Sequence, residues 1–489
     1  MAELTVKRGS AQITIPFVPG TRLREVLRAG GVELSSPCGG RGLCGKCAVT
    51  LRGAVSPPDP MEQRAGARLA CRAVLLGDAE VILPREQEME GIELGEDAVL
   101  PSLDPMEGAY GAAVDIGTTT LALRLYEMNS GTCLARCGMQ NPQTAVAADV
   151  MGRIGAAVAG ELDRLRVFVN DAVETLLVRA CADAGIDGDL VRSLVVTGNT
   201  AMLYLFTGRD PSSLAKAPFM ADHLFGETLH WNGRQVYLPR CMHAFVGADA
   251  TCAVLASGMC EGSGVSLLSD VGTNGELALW KDGVLLVTST AAGPAFEGMG
   301  ISCGCGSEAG AIDRVFVRDG TVSVHTIGDR PAIGVCGSGL IDAVAAALAA
   351  GAIDETGAME GEAFALTESV RLLPRDIRAV QLAKAAVAAG IDTLLETAGI
   401  GAEDVDSFLI AGGFGSHLNA ESAAAIGLFP QTLAARARAL GNGALTGAAR
   451  MLLDRRQQAR GIALTRLARH VDLGGDPKFN QHFIERMLF

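Results

Sequence analysis

The alternation of apolar and polar residues changes its character once along this chain, close to residue 110. Before that point, short segments alternate with the period of two that is typical of half-buried strands, over residues 4–7, 11–16, 48–52 and 80–83. A short helix is predicted near residues 22–29. From about residue 111 to about residue 455, apolar strands alternate with alanine-rich helices, which predicts layered α/β structure. We therefore expect a small α+β domain followed by a larger α/β region.

The larger region contains a weak internal repeat. The segment Ala113-Val-Asp-Ile-Gly-Thr-Thr returns 155 residues later as Leu268-Ser-Asp-Val-Gly-Thr-Asn. Each copy is an apolar strand that ends in an aspartate, a Gly-Thr turn and a second apolar strand, so each predicts a β-hairpin with an acid at its mouth. Two similar lobes that face each other across a cleft are the simplest architecture for such a repeat.

Charge is distributed unevenly and indicates the domain boundaries. Residues 1–85 contain twelve Lys and Arg against seven Asp and Glu, whereas residues 86–110 contain eight acids and no base. The acidic segment has glycines, prolines and no clear periodicity, which predicts a flexible linker. We expect a domain over 1–85, a linker over 86–110, a first lobe over 111–265 and a second lobe over 266–489, whose C-terminal tail packs on the body.

Bulk composition excludes several classes of protein. The chain has 489 residues, 49% of them hydrophobic, and a net charge of −14. An acidic chain of this kind is not expected to bind nucleic acid. No apolar run approaches the ~18–20 residues needed to span a bilayer, and the N-terminus shows no signal-peptide core, so we expect a cytoplasmic protein without a membrane partner. The 13 cysteines then predict reduced thiols and metal ligation.

Four of these cysteines form a metal-binding pattern. Cys38, Cys44 and Cys47 have the spacing C-x5-C-x2-C in a glycine-rich loop, and Cys71 follows later. Such a loop can wrap around an iron–sulfur cluster, whereas a zinc site would more often show two CxxC pairs. Together with the strands around them, these cysteines resemble a [2Fe–2S] ferredoxin of the β-grasp fold. The four cysteines are the candidate cluster ligands.

The glycine-rich turns of the larger region favour nucleotide binding. Gly-Thr hairpins present backbone N–H groups and hydroxyls to phosphate oxygens, and an adjacent aspartate can hold Mg²⁺ through water. A third glycine-rich turn follows an apolar strand and would lie against an adenosine. The chain has neither a P-loop nor a Rossmann pattern. The candidate nucleotide-binding residues are Asp115, Gly117, Thr118, Thr119, Asp270, Gly272, Thr273, Asn274, Gly275, Glu276, Gly412, Gly413 and Gly415.

This arrangement resembles the superfamily of acetate and sugar kinases, heat-shock chaperones and actin, with its two phosphate motifs and its adenosine motif. With a ferredoxin fused ahead of it, the chain resembles the reductive activators of corrinoid-dependent enzymes. The resemblance implies an ATP-dependent activase that reduces an inactive Co(II) corrinoid to Co(I), with a [2Fe–2S] cluster, ATP and Mg²⁺ as cofactors. It also implies a corrinoid protein and a low-potential reductant or ferredoxin reductase as partners, and we expect a homodimer.

Within that resemblance, Asp115, Asp270 and Glu297 are the candidate catalytic residues. The two aspartates would orient Mg²⁺ and water, and Glu297 would either polarise the attacking water or cap a turn. The thiols of Cys303, Cys305 and Cys336 are expected to be buried free cysteines rather than a second metal site, and so are those of Cys133 and Cys137. His417 is expected to be a loop residue.

Three other functions stay open at the level of sequence. An activator of a CoA-ester dehydratase or reductase shares the ATPase fold, although such activators lack a fused ferredoxin. A small-molecule kinase of the same superfamily would leave the N-terminal cysteines unexplained. A redox-sensing regulator would need a DNA-binding element, and no basic patch or helix pair suggests one.

Overall fold

The structure is a computed structural model, and it describes residues 2–8, 11–32, 34, 42, 47–83, 102–318, 321–412 and 417–489. Within these ranges the chain forms a small N-terminal domain and two larger lobes. No helix of the described ranges combines the length and the apolar character needed to cross a membrane.

The N-terminal domain is a mixed sheet with a helix on one face. In the described residues its sheet has the order β2-β1-β6-β4-β5, with β3 also paired to β6 and with β1 parallel to β6. The predicted strands and helix of this domain are confirmed, although β6 begins six residues before the predicted segment. The elements are β1 Ala2–Arg8, β2 Ala11–Phe17, β3 Thr21–Arg22, α1 Leu23–Ala29, β4 Ala48–Val55, α2 Pro60–Ala65, β5 Arg68–Leu69 and β6 Val74–Ile82.

The first lobe is built on a sheet of mixed direction with helices on its faces. Two 3₁₀ helices, Pro142–Ala145 and Gly188–Leu190, and a π-helical turn, Ala157–Glu161, interrupt its loops. The strands and α-helices are β7 Tyr110–Ile116, β8 Thr120–Glu127, β9 Thr132–Gln140, α3 Val150–Ala156, α4 Leu162–Ala184, β10 Val191–Gly198, α5 Thr200–Thr207, α6 Ser212–Ala215, β11 Glu227–Trp231, β12 Arg234–Leu238 and α7 Ala248–Ser257.

The second lobe follows after a short 3₁₀ turn, Met259–Glu261. A further 3₁₀ turn, Pro294–Glu297, follows its third strand. The elements are β13 Ser266–Val271, β14 Gly275–Lys281, β15 Val284–Thr290, β16 Ala311–Arg318, β17 Thr321–Thr326, β18 Gly334–Val335, α8 Gly337–Ala349, β19 Phe364–Ala365, β20 Arg371–Leu372, α9 Pro374–Ala398, β21 Ser407–Ala411, α10 Ala420–Ala425, α11 Gln431–Ala434, β22 Ala437–Gly441, α12 Gly443–Leu453, α13 Arg455–Leu467, β23 Ala468–His470 and α14 Pro477–Glu485.

The two large sheets repeat one topology. In the first lobe the strand order runs β9-β8-β7-β10-β12, and in the second it runs β15-β14-β13-β21-β22. In both sheets the first three strands are antiparallel neighbours. The fourth strand pairs in parallel with the third, and the fifth pairs in parallel with the fourth. The internal repeat of the sequence therefore corresponds to a duplicated lobe, which is the α/β, two-lobed architecture that the resemblance implies.

Alternate residues of the central strands pack on opposite faces of each sheet. On β8, Leu121 and Leu123 belong to the outer core of the first lobe, whereas Ala122 belongs to a cluster shared by both lobes. On β14, Leu277 and Leu279 face the outer core of the second lobe, whereas Ala278 and Trp280 belong to the shared cluster. Because strand side chains alternate between faces, one apolar strand supplies both cores.

Helices α7 and α12 cross between the two sheets and complete the shared cluster. The crossing is close at Gly447, where an added Cβ atom would lie 2.1 Å from the carbonyl oxygen of Cys252. Only a residue without a side chain allows this approach. Helix α12 also packs on β7 and β10, so a helix of the second lobe in sequence contacts the first lobe in space.

The described end of the predicted linker and the C-terminal tail both contact the lobes. Of the predicted linker over 86–110, the described part begins at residue 102, and Asp104 N donates to the Leu453 carbonyl at 3.1 Å. Met106 is buried in the shared cluster. The C-terminal tail packs on the body, as expected, because α14 lies against α9 and Arg486 pairs with Asp392 at 2.6 Å. The linker assignment as a whole stays a prediction.

Candidate functional site

The two predicted hairpins face one cavity between the lobes. Asp115 lies near the end of β7 opposite Ala122 of β8, and Asp270 lies near the end of β13 opposite Glu276 of β14. The cavity has a volume of about 260 Å³. Its walls include predicted residues of both lobes, namely Asp115, Gly117, Thr118, Thr119, Asp270, Gly272, Thr273, Asn274, Glu276, Glu297 and Gly412. The duplicated strand order therefore brings the two copies of the repeat to the same place.

The first hairpin turn is held by side chains from elsewhere in its lobe. Asn141 Nδ2 donates to the Gly117 carbonyl at 2.8 Å, and Asn141 N donates to the Thr119 carbonyl at 2.7 Å. Asn199, at the start of α5, donates to the Thr118 hydroxyl at 3.1 Å. Because two carbonyls of the turn already accept hydrogen bonds from Asn141, the backbone conformation of the turn is held by the rest of the lobe.

Arg153 is a fully buried cation behind this turn. Its guanidinium donates to the Thr118 carbonyl, to Gln143 Oε1 at 3.1 Å and to the Ala147 carbonyl at 3.0 Å. Burial lowers the pKa of Arg153 to about 9, so the side chain stays charged at neutral pH. A buried positive charge bonded directly to a turn of this kind favours an anion such as phosphate on the turn's other side.

Glu297 connects the hairpins of the two lobes. Its carboxylate accepts a hydrogen bond from the Thr119 hydroxyl of the first hairpin and one from the Thr273 hydroxyl of the second at 2.7 Å. The turn Pro294–Glu297 places it there, and the glycine on either side of this turn has a positive φ angle, 78° for Gly293 and 73° for Gly298. The sequence left a catalytic and a capping role open for Glu297. The structure places its side chain in the cavity.

Four half-buried acidic side chains, Asp115, Asp249, Asp270 and Glu276, line this cavity. Burial first, and then the neighbouring acids, raise the pKa of Asp115 and of Asp270 to about 7. Burial raises the pKa of Asp249 to about 6 and that of Glu276 well above its usual value. Asn442 donates to Asp115 Oδ2 at 3.1 Å and partly offsets this effect.

Several carboxyl groups that line one cavity suit a site for Mg²⁺. Magnesium keeps several waters and is usually bound through one or two carboxylates together with phosphate oxygens. Asp115 and Asp270 are the residues that would hold it here, one from each lobe. Bound to them, the cation would neutralise phosphate charge.

Gly412, in the third predicted turn, lies against the second hairpin. Its φ angle is +89°, and an added Cβ atom would lie 2.5 Å from Asp270 Oδ1. A side chain is therefore excluded here by both the backbone conformation and the neighbouring carboxylate. Gly413 and Gly415 lie outside the described residues, and Gly275 begins β14 beside the cavity wall.

In the N-terminal domain, Cys47 and Cys71 lie together in the core. Their sulfur atoms are 3.4 Å apart and both side chains are buried. A disulfide would bring them to about 2.05 Å, whereas two thiolates on one tetrahedral metal ion lie about 3.7 Å apart for a metal–sulfur bond of about 2.3 Å. The hydrogen bond to Cys71 lowers the pKa of Cys47 to about 6. The pair fits one iron of a cluster, and Cys38 and Cys44 lie outside the described residues.

Within the described ranges, the remaining cysteines form no disulfide bond. Burial raises the pKa of Cys303 and of Cys137 to about 11, which opposes metal ligation. Cys305 lines the cavity, and so does His417, the residue expected to be an ordinary loop residue.

Several residues of the site were not among those predicted from the sequence. Asp249 and Asn442 line the cavity, Asn199 holds the first hairpin, and Arg153 lies behind it. Asn199 and Asn442 each follow a strand that ends in glycine and each caps the next helix, which is a recognisable local signal. Arg153 has no such signal, because it occupies an ordinary position inside a helix.

Comparison with known families assigns the three parts of the chain. A family model described as a 2Fe-2S iron-sulfur cluster binding domain matches residues 6–76. A model described as the RACo middle region matches residues 110–262, and one described as the C-terminal domain of RACo, the ASKHA domain, matches residues 264–489.

Individual relatives agree with these matches. The chain is 33% identical over 429 residues to the corrinoid activation enzyme RamQ of Eubacterium limosum, covering 80% of this chain and 72% of that protein. It is 25% identical over 418 residues to the [Co(II) methylated amine-specific corrinoid protein] reductase of Methanosarcina barkeri, covering 77% and 76%. A solved structure titled reductive activator for corrinoid, iron-sulfur protein superposes with a TM-score of 0.75 at 26% identity, covering 100% of this chain and 98% of the other.

Proposed function

This chain belongs to the RACo family of corrinoid-protein activators, and from that premise we propose that it reduces the inactive Co(II) corrinoid of a partner protein to Co(I), one electron at a time, in an ATP-dependent reaction. The observation that carries the proposal is the union, in one chain, of a cluster-binding domain with a two-lobed cavity in which both Asp-Gly-Thr hairpins meet. An electron carrier alone would not need that cavity, and a kinase would not need the paired thiols.

ATP dependence has an energetic reason. Plant-type ferredoxins have potentials of about −400 mV, and the proposal takes the formation of Co(I) to require a lower one. Moving one electron uphill by about 100–200 mV costs about 2–5 kcal/mol. Nucleotide binding or hydrolysis is a sufficient source, and the two-lobed cavity is the part that can respond to it.

In the proposed site, the two hairpins hold the phosphates of ATP from opposite walls. Gly117, Thr118 and Thr119 supply backbone N–H groups and hydroxyls on one side, and Gly272 and Thr273 supply them on the other. Arg153 adds positive charge behind the first hairpin. The adenosine lies against the turn that begins at Gly412.

Hydrolysis in this site depends on the acids. Asp115 and Asp270 would hold Mg²⁺, and Glu297 accepts hydrogen bonds from the threonine hydroxyls of both hairpins. A carboxylate in this position is suited to orient and polarise a water molecule beside the terminal phosphate. Since it bonds to both lobes, any change in its partners also changes how the lobes are joined.

In the N-terminal domain, Cys38, Cys44, Cys47 and Cys71 would hold the [2Fe–2S] cluster, which supplies one electron at a time when bound. The hydrogen bond with Cys71 lowers the pKa of the Cys47 thiol, which favours the thiolate form that binds metal. The partner is a corrinoid-binding protein. A low-potential reductant or ferredoxin reductase as the electron source, and a homodimeric assembly, are part of the proposal.

The test is an anaerobic reduction assay. The cluster-loaded protein, a low-potential reductant and a Co(II) corrinoid protein are mixed with ATP, with ADP or without nucleotide, and loss of the Co(II) EPR signal is followed together with Co(I) absorbance. We expect Co(I) only when ATP and reductant are both present. Equal rates without ATP would exclude energy coupling, and phosphorylation of a small acid or sugar would favour a kinase.

Two variants test whether the activity depends on an acid of the cavity or equally on an acid outside it. Asp270→Asn removes a carboxylate of the cavity and should abolish ATP-dependent reduction while the visible spectrum of the cluster is retained. Glu261→Gln changes an acid that pairs with Arg460 at 2.8 Å outside the cavity and should leave the rate unchanged. Equal activity of Asp270→Asn and wild type would contradict the proposed cavity.

A further inference from the structure

The N-terminal domain contacts the first lobe through two arginines of α1. Arg24 Nη2 donates to the Ala145 carbonyl at 2.7 Å, and Arg28 Nη2 pairs with Glu161 at 3.3 Å. Both acceptors lie in residues 141–161, a segment that runs from the 3₁₀ helix Pro142–Ala145 through α3 to the π-helical turn. We call this segment the brace.

The brace is also the segment that holds the first hairpin. Its first residue, Asn141, donates to the carbonyls of Gly117 and Thr119, and Arg153 in its helix α3 donates to the carbonyl of Thr118. The same twenty-one residues therefore contact the phosphate-binding turn on one side and the N-terminal domain on the other.

On the far side of this contact, α1 is bonded to the turn between β5 and β6, which contains Cys71. Arg24 N donates to the Ala70 carbonyl at 2.9 Å, and Leu23 N donates to the Ala73 carbonyl at 2.9 Å. A continuous series of hydrogen bonds thus links the backbone beside Cys71, through Arg24 and the brace, to the first hairpin. Such a series of hydrogen bonds couples the two sites at its ends only if the groups that form it can adopt two different arrangements.

Two features allow the contact to open and close. The apolar core of the N-terminal domain consists of residues 2–83, and in the described part of the chain it includes no residue of either lobe. The contact is therefore polar, as reversible interfaces between domains are. The brace also has a break at Gly160, whose φ angle of +101° interrupts the helix just before Glu161. Breaks of this type are frequent at functional sites.

We propose that the N-terminal domain docks reversibly on the brace, and that docking and nucleotide binding at the first hairpin change each other's equilibrium. The inference rests on the proposed function, because it takes ATP as the ligand of the hairpin. Linkage makes the effect reciprocal: the factor by which ATP changes docking equals the factor by which docking changes the affinity for ATP. Nucleotide state then decides when the electron-carrying domain is held and when it is free to reach a partner protein.

The first experiment measures the affinity for ATP by calorimetry on the full, cluster-loaded chain. Arg24→Gln removes the guanidinium that bonds to Ala145, and we expect the Kd for ATP to change about fivefold or more relative to wild type. Arg22→Gln is the matched control, since Arg22 is exposed at the start of the same helix. It should leave the Kd unchanged. Arg24→Lys, which keeps a donor and the charge, should restore part of the wild-type value.

Equal Kd values for wild type and Arg24→Gln would overturn the coupling and leave the proposed function intact. Failure of wild type to bind ATP would instead overturn the proposed function. Circular dichroism and the cluster spectrum of Arg24→Gln should match wild type, which separates loss of coupling from loss of folding.

A second measurement reads docking directly. Hydrogen exchange of the peptide containing α1, Leu23–Ala29, should change on addition of saturating ATP in wild type and in Arg22→Gln. In Arg24→Gln the nucleotide-dependent change should disappear, because the link to the brace is lost. Identical responses of Arg24→Gln and wild type would contradict the proposal.

Discussion

Thr119 and Glu297 lie 178 residues apart in sequence and are joined by a hydrogen bond across the cavity, in which the threonine hydroxyl donates to the carboxylate. The same carboxylate accepts from Thr273 at 2.7 Å, so one acid is shared by both copies of the repeated hairpin. The carboxylate of Glu297 therefore links the two lobes. In the proposed mechanism it would also act on a water molecule beside the phosphates.

We expect Glu297→Gln to slow ATP hydrolysis by about 10²- to 10⁴-fold, because the amide removes the proton acceptor while it keeps the shape of the side chain. Phosphate release measured at saturating ATP tests this expectation, and calorimetry shows whether ATP still binds. Glu261→Gln, in an acid outside the cavity, is the control. A hydrolysis rate of Glu297→Gln equal to that of wild type would assign Glu297 a structural role only.

Arg153→Met should both destabilise the protein and weaken ATP binding. The change removes charged hydrogen bonds to Thr118, Gln143 and Ala147, and it leaves their carbonyls buried without a donor. Urea denaturation should show a loss of about 2–4 kcal/mol. Arg209→Met breaks an exposed pair with Glu227 at 3.6 Å and should cost less than about 1 kcal/mol. A loss for Arg153→Met no larger than this control would show that the buried network contributes little.

Gly412→Ala should lower the affinity for ATP, because the new Cβ atom would displace Asp270 as well as strain the backbone. Gly399→Ala is a matched control. Gly399 ends α9 with φ +67°, and an added Cβ atom there would meet nothing within 4 Å. Each variant should cost about 1–2 kcal/mol of stability from the backbone alone, but only Gly412→Ala should raise the Kd for ATP, by about tenfold or more. Equal Kd values for Gly412→Ala and Gly399→Ala would show that Gly412 is not part of the nucleotide site.

Cys71→Ala should abolish the visible absorbance and the EPR signal of the reconstituted cluster. The reason is the 3.4 Å approach of its sulfur to that of Cys47, on which we base the proposal that the pair would hold one iron of the cluster. The Kd for ATP should stay within about twofold of wild type if docking is retained. Cys133→Ala, in a thiol outside the N-terminal domain, should keep the full cluster signal. A cluster spectrum that survives in Cys71→Ala would contradict the ligand assignment.

Lys384 predicts a dependence of stability on alkaline pH. It is buried on α9, where its ammonium group donates to the Leu488 carbonyl and lies 5.2 Å from the centre of the Phe489 ring. Burial, and then Arg486, lower its pKa from 10.5 to about 8. Between these values the unfolded chain binds the proton more strongly than the folded chain, so stability rises with pH over that window.

The measurement compares urea denaturation of wild type and Lys384→Met from pH 8 to pH 10.5. Relative to the variant, wild type should gain on the order of 3 kcal/mol of unfolding free energy across the window. Lys281→Met, in a half-buried lysine beside Asp282, controls for general effects of charge removal. Parallel curves for wild type and Lys384→Met would show that the buried lysine does not titrate in this range.

The elements of the N-terminal domain and the two hairpins could be predicted because their signals are local. A strand that alternates in polarity can bury only one face, and a Gly-Thr turn between two apolar segments can form little but a hairpin. Asp115 and Asp270 were therefore placed at hairpin mouths from sequence alone, and both line the cavity. The cysteine spacing likewise indicated a cluster-binding loop.

Residues whose function depends on another lobe or another helix could not be found in the same way. Arg153 lies inside a helix, and nothing in its local sequence distinguishes it. Only the fold of the brace places its guanidinium behind Thr118. Asp249 begins α7, yet it shares the cavity with acids from both sheets. The contact of Arg24 with Ala145 spans 121 residues, and no pattern in either segment suggests it.

The sequence by itself determined the periodic elements, the repeated Asp-Gly-Thr hairpins and the metal-binding spacing of the cysteines, since each of these depends on neighbours a few residues away. Only the tertiary structure decided that both hairpins share Glu297, that four acids meet in one cavity and that α1 rests on the segment holding the first hairpin. The physical reason is that charge, burial and hydrogen-bond partners are properties of positions in space. A chain brings those positions together only when its apolar faces have packed.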